Sequence, residues 1–325
     1  MATLLQCIET MISNISVSDR QEEKIKSSLS NIEGYLKNEE NDLNVSRTFT
    51  TGSYERDTII RPLNDIDLFA VLKKDNWKDE YGNLPKPQSV LTKIKNYLNS
   101  LNDYKDKVKQ DRPCVTIVLS DKDFDILPSF EVVNGGYSIP NEDLETWTYS
   151  YPELLATNLD STHRLRKYKV KPVIKVLKYW NREHNKFIPS YHIEETAINI
   201  YLVNDFINYE EGIRLWFNNA EYHLQSNKFR SNDEYETVIK RVRRVKEKLN
   251  NAKNELDKDK EGEAIKIWKD IFGTEFPTVD IEEAKNFSKS LSEGSLKIAS
   301  SGSISTSIGR NVPKSGGFYG EVPEE

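Results

Sequence analysis

Two aspartates, Asp65 and Asp67, stand at the start of an otherwise apolar stretch, DIDLFAVL. A buried carboxylate is costly unless a cation or hydrogen bonds compensate its charge. Because side chains alternate along a β-strand, the D-x-D spacing predicts that both carboxylates lie on one face. A hard divalent cation with oxygen ligands would relieve their repulsion. The alternative is an edge strand with a solvated polar face, and this short motif alone does not decide between the two.

Two further features favour the metal site. Gly52 and Ser53 precede the aspartates by a short connector. Glycine lets backbone N–H groups approach an anion closely, and a serine hydroxyl adds a donor. A third aspartate, Asp125, lies in the strand pattern FDILPSF, shortly after a second strand pattern, CVTIVL. Three carboxylates and a phosphate-binding Gly-Ser turn are the components of a two-metal nucleotidyl-transfer site.

Composition limits the class of protein. Lys and Arg total 46 against 52 Asp and Glu, a net charge of −6, whereas a protein that binds nucleic acid mainly through its phosphates usually has a basic surplus. The two cysteines, Cys7 and Cys114, are too few for a cysteine-only zinc site. No apolar run reaches membrane-spanning length and no signal-peptide pattern is present, so we expect a soluble cytoplasmic protein without a membrane partner.

Periodicity predicts the elements that position these residues. The stretch 4–36 is helical with an interruption near Ser18, a candidate N-cap. Residues 45–72 have a mixed strand and turn pattern, strand patterns lie at 113–119 and 124–133, and Asn134-Gly135-Gly136 predicts a hairpin into 137–139. Helical patterns lie at 89–101, 163–184, 193–210, 233–256 and 262–272.

Five motifs in order resemble one enzyme family. TGSYERDTIIRPLNDIDLF, FDILPSFE, VIKVLKYWNREH, IPSYHIEE and EAIKIWKDIFGTEFP together resemble the cGAS/DncV-like nucleotidyltransferases (CD-NTases) of bacterial anti-phage signalling. That family lies in the oligoadenylate synthetase and polymerase-β-type superfamily. The resemblance covers about residues 45–277. It implies an α+β, bilobal polymerase-β-like fold, with a mixed sheet in the catalytic lobe and a second, helical lobe.

The resemblance also implies an organisation of the chain. Residues 1–150 would hold the N-terminal helix and the catalytic core, and residues 151–285 the helical lobe. Residues 286–325 are rich in Ser and Gly, a composition that cannot bury a core, so we expect a flexible tail there. An accessory regulatory protein contacting this tail is a hypothesis drawn from the family.

The resemblance assigns roles to individual residues. Asp65, Asp67 and Asp125 would bind two Mg²⁺ ions, with Mn²⁺ as an alternative. Gly52 and Ser53 would hold the β- and γ-phosphates. Lys178 would reach the donor phosphates, Tyr191 would stack on the donor base, and Ser190 would touch base or phosphate. Lys178 as a surface lysine and Tyr191 as ordinary packing stay open as alternatives.

The function implied is synthesis of a cyclic di- or trinucleotide second messenger from nucleoside triphosphates, ATP among them, with release of pyrophosphate. The alternatives are a linear oligoadenylate synthetase, transfer of one nucleotide to a macromolecule or small molecule, and a nucleotide-binding module without turnover. The basic run at 240–248 is flanked by acidic residues, which favours a solvated helix face. We therefore do not expect a nucleic-acid activator.

Overall fold

The computed structural model describes residues 3–63, 65–111, 113–133 and 135–277, together with three two-residue strands nearer the end of the chain. The chain forms two compact units. One comprises residues 11–247, and the other comprises residues 1–10 and 248–325. All the candidate site residues lie in the first unit.

A seven-stranded mixed sheet forms the centre of that unit. Its strands are β1 (Val45–Thr50), β2 (Ile66–Leu72), β3 (Val108–Asp111), β4 (Cys114–Val118), β5 (Asp123–Glu131), β6 (Tyr137–Pro140) and β7 (Trp147–Ser150). The main order is β1-β2-β5-β4-β3, and the far end of β5 continues through β6 to β7. Only β2 and β5 pair in parallel; the other pairs are antiparallel.

Ten α-helices are present in the described part of the chain. They are α1 (Leu4–Ile15), α2 (Asp19–Lys37), α3 (Gly52–Glu55), α4 (Pro87–Ser100), α5 (Pro152–Leu165), α6 (Val170–Glu183), α7 (Ser190–Val203), α8 (Tyr209–His223), α9 (Asn232–Leu256) and α10 (Glu261–Phe272). Helices α2 and α4 cover one face of the sheet, where Ile32, Leu91 and Ile126 are fully buried in one apolar cluster. The α+β class predicted from the sequence is confirmed.

Strand β2 is buried almost throughout. Ile66 and all residues from Leu68 to Leu72 are buried, and only Asp67 is partly exposed. Burial on both faces explains the continuous apolar sequence, because neither face of a central strand meets water. The strand patterns around Asp67 and Asp125 are therefore confirmed as neighbouring central strands.

Two helix predictions were wrong in their bounds. The pattern at 163–184 is divided between α5 and α6, because Lys167 and Tyr168 have left-handed backbone conformations (φ 51° and 63°) that a helix interior excludes. Pro172 lies in the first turn of α6, where proline is tolerated. The pattern at 193–210 ends at Val203, and α8 begins only at Tyr209.

The predicted tail at 286–325 lies outside the described residues except for the three short strands. These are β8 (Lys297–Ile298), β9 (Ile304–Ser305) and β10 (Arg310–Asn311), which pair in the order β10-β8-β9. The lobe boundary predicted at 150/151 falls between β7 and α5, and the three-region division stays a prediction. None of the described helices has the length and apolar character needed to cross a membrane.

Candidate active site

The parallel pair β2/β5 brings two of the predicted carboxylates together. Asp67 and Asp125 are direct partners in the strand register. On the other side of β5, Thr116 of β4 is in register with Asp125, and its hydroxyl donates a 2.6 Å hydrogen bond to Asp125 Oδ1. The register of three strands therefore fixes the Asp125 carboxylate next to that of Asp67.

The prediction that Asp65 lies within the same strand as Asp67 was wrong. Strand β2 begins at Ile66, and Asp65 precedes it in a left-handed conformation with φ 54°. Strand alternation therefore does not position this side chain. Its carboxylate is 56% exposed, and Oδ2 lies 3.9 Å from Lys186 Nζ, a loose ion pair that solvent screens. Asp65 nevertheless lines the same cavity as Asp67 and Asp125.

Gly52 lies against the Asp67 carboxylate. A Cβ at this position would stand 1.7 Å from Asp67 Oδ2, and the backbone has φ 68°. Both observations require glycine, the first by space and the second by conformation. The Thr51 N–H donates to the Asp67 carbonyl, and the N–H groups of Thr58 and Ile59 both donate to the Ser53 carbonyl. The Gly52-Ser53 turn is thus fixed to the strand that carries Asp67.

The surroundings of Asp67 and Asp125 raise the proton affinity of both carboxylates. Burial, and then the negative charges of Asp125 and Asp65, raise the pKa of Asp67 to about 6. Burial also raises the pKa of Asp125, with the charge of Asp65 adding to it and the Thr116 hydrogen bond opposing it. These two central strands therefore carry carboxylates whose ionisation their surroundings disfavour.

The raised pKa values of Asp67 and Asp125 bear on whether a divalent metal ion could bind here. Within the described ranges, no three His, Cys, Asp or Glu side chains are already arranged as a ligand set. Asp67 and Asp125 nevertheless offer adjacent carboxylate oxygens, the ligands that Mg²⁺ prefers, and a cation would favour their ionised forms against the burial and negative charge that raise their pKa values. Asp65 would have to turn away from Lys186 to join them. The residues fit a divalent cation of this kind.

A buried ionic network forms a second part of the site. Glu194 of α7 is fully buried, and its carboxylate accepts hydrogen bonds from Arg56 Nε at 2.5 Å and Lys178 Nζ at 2.6 Å. The Thr58 hydroxyl donates to the same carboxylate at 2.5 Å and accepts from Lys178 Nζ at 2.8 Å. The network joins the connector after α3 to helices α6 and α7. Lys178 is therefore 6% exposed and is not a surface lysine.

The charge states of this network follow from its contacts. Burial lowers the pKa of Lys178, and the contact with Glu194 opposes that effect. Burial acts to raise the pKa of Glu194, but Lys178 and Arg56 outweigh it and lower the pKa below its usual value. Glu194 is therefore ionised at neutral pH, and two cations share one anion.

The predicted nucleobase residues lie at the start of α7. Ser190 is the first residue of that helix and lines the cavity. Tyr191 is 41% exposed, and Lys228 Nζ lies 5.3 Å from the centre of its ring. A large aromatic side chain exposed in a cavity is available for stacking, so the packing alternative for Tyr191 is not favoured by its position.

One cavity of about 1200 Å³ contains all eight predicted site residues. Apolar side chains of the sheet, Phe69, Leu127 and Ile139, line another part of it, and Tyr149 and Tyr151 are exposed at its edge. The volume exceeds the roughly 300–1,000 Å³ of a typical small-molecule pocket, so the cavity has room for more than one nucleotide. The structure thus brings acids, cations and aromatic surfaces together in one cavity.

Comparisons with known proteins point to one family. Residues 1–161 match the family described as the Second Messenger Oligonucleotide or Dinucleotide Synthetase (SMODS) domain. The chain is 27% identical over 260 residues to the cyclic AMP-AMP-AMP synthase of Acinetobacter sp. (strain ATCC 27244 / 9458), covering 71% of this chain and 72% of that protein. Residues 1–161 thus carry a match to this domain, and the chain is similar to a named cyclic nucleotide synthase over most of its length. It is therefore a nucleotidyltransferase.

Solved structures share the fold of this chain. CdnC of E. coli MS115-1 bound to ATP superposes with a TM-score of 0.67 at 16% identity, covering 84% of this chain and 99% of that one. CdnC has also been solved in a complex with HORMA-deltaN. The DncV cyclic AMP-GMP synthase of Vibrio cholerae, in complex with a linear intermediate, gives a TM-score of 0.67 at 12% identity over 85% of this chain and 97% of that one.

Sequence reasoning missed part of this site. Arg56 had no assigned role, and Thr58 and Glu194 were not considered, yet these three form the buried network with Lys178. A signal was present for Glu194, because a glutamate within the apolar helix sequence of α7 requires a partner if it is buried. Nothing in the sequence identified Arg56 as that partner, since the two are 138 positions apart.

Proposed function

We propose that this chain joins nucleoside triphosphates into a cyclic di- or trinucleotide second messenger and releases pyrophosphate. The observation that carries the proposal is the register of Asp67 with Asp125 in a cavity that the cations Arg56 and Lys178 also line. A metal-bound triphosphate needs carboxylates for the metal and cations for the phosphates. Both are present in one cavity of sufficient volume.

Asp65, Asp67 and Asp125 would hold the divalent ions, two Mg²⁺ or alternatively Mn²⁺. Bound there, such ions would neutralise phosphate charge and lower the pKa of the attacking ribose hydroxyl. The Asp125 carboxylate, held by Thr116, would accept the proton of that hydroxyl. The hydroxyl oxygen then bonds to the α-phosphorus as the bond to pyrophosphate breaks.

The remaining predicted residues would bind the donor nucleotide. The Gly52-Ser53 turn, which is fixed to β2, would hold the β- and γ-phosphates through N–H groups and the Ser53 hydroxyl. Lys178 would add a positive charge on the phosphates. Tyr191 would stack on the base, with Ser190 at the edge of base or phosphate. These groups act by positioning and charge compensation, which dominate this class of reaction.

Relatives support the choice of substrate and of a protein partner. One relative is named a cyclic AMP-AMP-AMP synthase, and CdnC binds ATP, so we propose ATP among the substrates. The CdnC complex with HORMA-deltaN supports an accessory protein as a partner of this chain. We place the enzyme in the cytoplasm, in anti-phage signalling (CBASS), and expect no nucleic-acid activator.

Incubation with labelled nucleoside triphosphates and Mg²⁺ or Mn²⁺, followed by mass spectrometry of phosphatase-resistant products, tests the proposal. We expect a cyclic product from a mixture that includes ATP. The Asp65→Asn/Asp67→Asn double variant should fold and make none. An enzyme lacking a required accessory protein would be silent, so the assay includes candidate partners from the same genomic setting.

Other products would lead to other functions. Phosphatase-sensitive oligomers would indicate a linear synthetase, and label on a macromolecule would indicate a single-nucleotide transferase. Tight nucleotide binding without any product would indicate a binding module. Each of these results contradicts the proposed cyclic synthesis.

A further inference from the structure

We infer that Glu194 is a positioning residue that fixes Arg56 and Lys178 as a paired polyphosphate-binding site. The inference rests on the proposed function and adds two residues to it, Glu194 and Arg56. Arg56 and Lys178 line the cavity, whereas Glu194 is fully buried behind them and does not. Glu194 can therefore influence a ligand only through the cavity-lining side chains it holds, which are Arg56, Lys178 and the hydroxyl of Thr58.

The charge count of the network points to an anionic ligand. Arg56 and Lys178 bring two positive charges and Glu194 one negative charge, in a place where the side chains of the two cations are 9% and 6% exposed. Uncompensated buried charge is costly. Asp67 is a further anion that acts on both cations, and all three side chains line the same cavity. A divalent ion bound by the acids would offset the charge of Asp67, and a polyphosphate would then supply the negative charge that Arg56 and Lys178 require.

The geometry also explains why one carboxylate holds both cations. A lysine head group on a four-carbon stem has several rotamers, and fixing it costs conformational entropy at binding. The contacts from Glu194 at 2.5 and 2.6 Å, with Thr58 at 2.8 Å from Lys178 Nζ, fix both head groups before a ligand arrives. Preorganised cations lower the cost of binding the phosphates.

A comparison of a nucleoside monophosphate with a triphosphate analogue separates a phosphate-positioning role of Glu194 from a purely structural one. The dissociation constants of AMP and of the non-cleavable α,β-methylene-ATP, both with Mg²⁺, are measured for wild type and for Glu194→Gln. The substitution keeps the shape of the side chain and removes its charge. We expect α,β-methylene-ATP to bind about 10- to 100-fold more weakly, the loss of one or two charge-assisted contacts. AMP affinity should change less than about threefold, because the base-binding residues are unaffected.

Equal losses for both ligands would overturn the inference, since they would indicate general damage to the cavity. Unchanged affinity for both would overturn it as well. If wild type itself binds α,β-methylene-ATP no more tightly than AMP, the proposed function fails and the inference fails with it. The wild-type comparison therefore distinguishes the two failures.

Two more variants keep the test decisive. If Glu194→Gln does not fold, Arg56→Met decides: the inference predicts the same selective loss for α,β-methylene-ATP, and no loss overturns it. The matched control is Glu210→Gln. Glu210 is also a buried, ion-paired glutamate, bound to Arg214 at 2.8 Å in α8, and it does not line the cavity. Affinity for both ligands should stay at the wild-type value in this control.

Discussion

The two charged regions of the cavity are compensated to different degrees. On the sheet, Asp67 and Asp125 are partners in the strand register, and burial, with negative charge from neighbouring acids, raises the pKa of both. Where the connector after α3 meets α6 and α7, Arg56 and Lys178 are both bound to Glu194. The first, acidic region would favour a bound cation, and the second, basic region would favour a bound anion. A metal-bound polyphosphate, as proposed, would provide both.

The largest loss of activity should come from disturbing the close contact between Gly52 and the Asp67 carboxylate. Gly52→Ala places a Cβ 1.7 Å from Asp67 Oδ2 and requires an alanine at φ 68°. Either the carboxylate or the turn has to move, and a displacement of about 1 Å in such a site costs about 100-fold in rate. We expect steady-state synthesis to fall by about that factor or more, measured as pyrophosphate release.

The control for this variant is Gly34→Ala. Gly34 lies inside α2, and a Cβ there meets nothing within 4 Å. Alanine in a helix interior is more favourable than glycine by up to about 1 kcal/mol, so this variant should be fully active and slightly more stable. Full activity of Gly52→Ala would show that the turn does not position Asp67.

The residues of the acidic region could be predicted from the sequence better than those of the basic region. The acidic region was predictable because its residues lie in short motifs: strand periodicity predicts that Asp67 and Asp125 lie in strands, and the family resemblance implies that they share one site. The left-handed conformation of Asp65 was not predictable, since nothing in the sequence indicated that β2 begins only at Ile66. The basic region depends on Arg56 and Glu194, which pair only through tertiary structure.

The break between α5 and α6 shows the same limit. The apolar spacing continues from one helix into the next, so periodicity alone predicts a single helix at 163–184. The interruption arises from backbone conformations at Lys167 and Tyr168, neither of which is a glycine or proline. Lys178 and Trp180 lie C-terminal to the break, so the error did not affect the predicted site.

A second prediction concerns the pH dependence of the acidic region without metal. The pKa of Asp67 is raised to about 6 from 3.8, so the folded state holds the proton more tightly than the unfolded state. The cost of ionisation, on the order of 3 kcal/mol, is fully present above pH 6 and is lost as the pH falls towards 4. In EDTA at pH 7.5, Asp67→Asn should unfold at higher urea than wild type, and the gap should narrow as the pH falls to 5.

Added Mg²⁺ should also narrow the difference in stability between wild type and Asp67→Asn, in this case by stabilising wild type. Adding Mg²⁺ at pH 7.5 should stabilise wild type, since a bound cation favours the ionised carboxylates, and should stabilise Asp67→Asn much less. The wild-type gain should shrink by pH 5, where protons compete with the metal. An Mg²⁺ effect of equal size in both proteins would mean that the ion acts elsewhere.

The smallest loss of activity should come from removing the side-chain hydrogen bond to Asp125 while its strand register is kept. Thr116→Val keeps the shape of the side chain and removes the hydroxyl that donates to Asp125 Oδ1 at 2.6 Å. A hydrogen bond to a charged group contributes about 1.5–3 kcal/mol, but the neighbouring strand still holds the carboxylate by register. We therefore expect a loss of kcat of about 10-fold, with little change in the KM for nucleoside triphosphate.

Thr48→Val is the matched control, because the Thr48 hydroxyl is buried and makes no hydrogen bond, so its removal should leave activity intact. An equal loss in both variants would assign the effect to sheet packing and leave Thr116 without a specific role at Asp125.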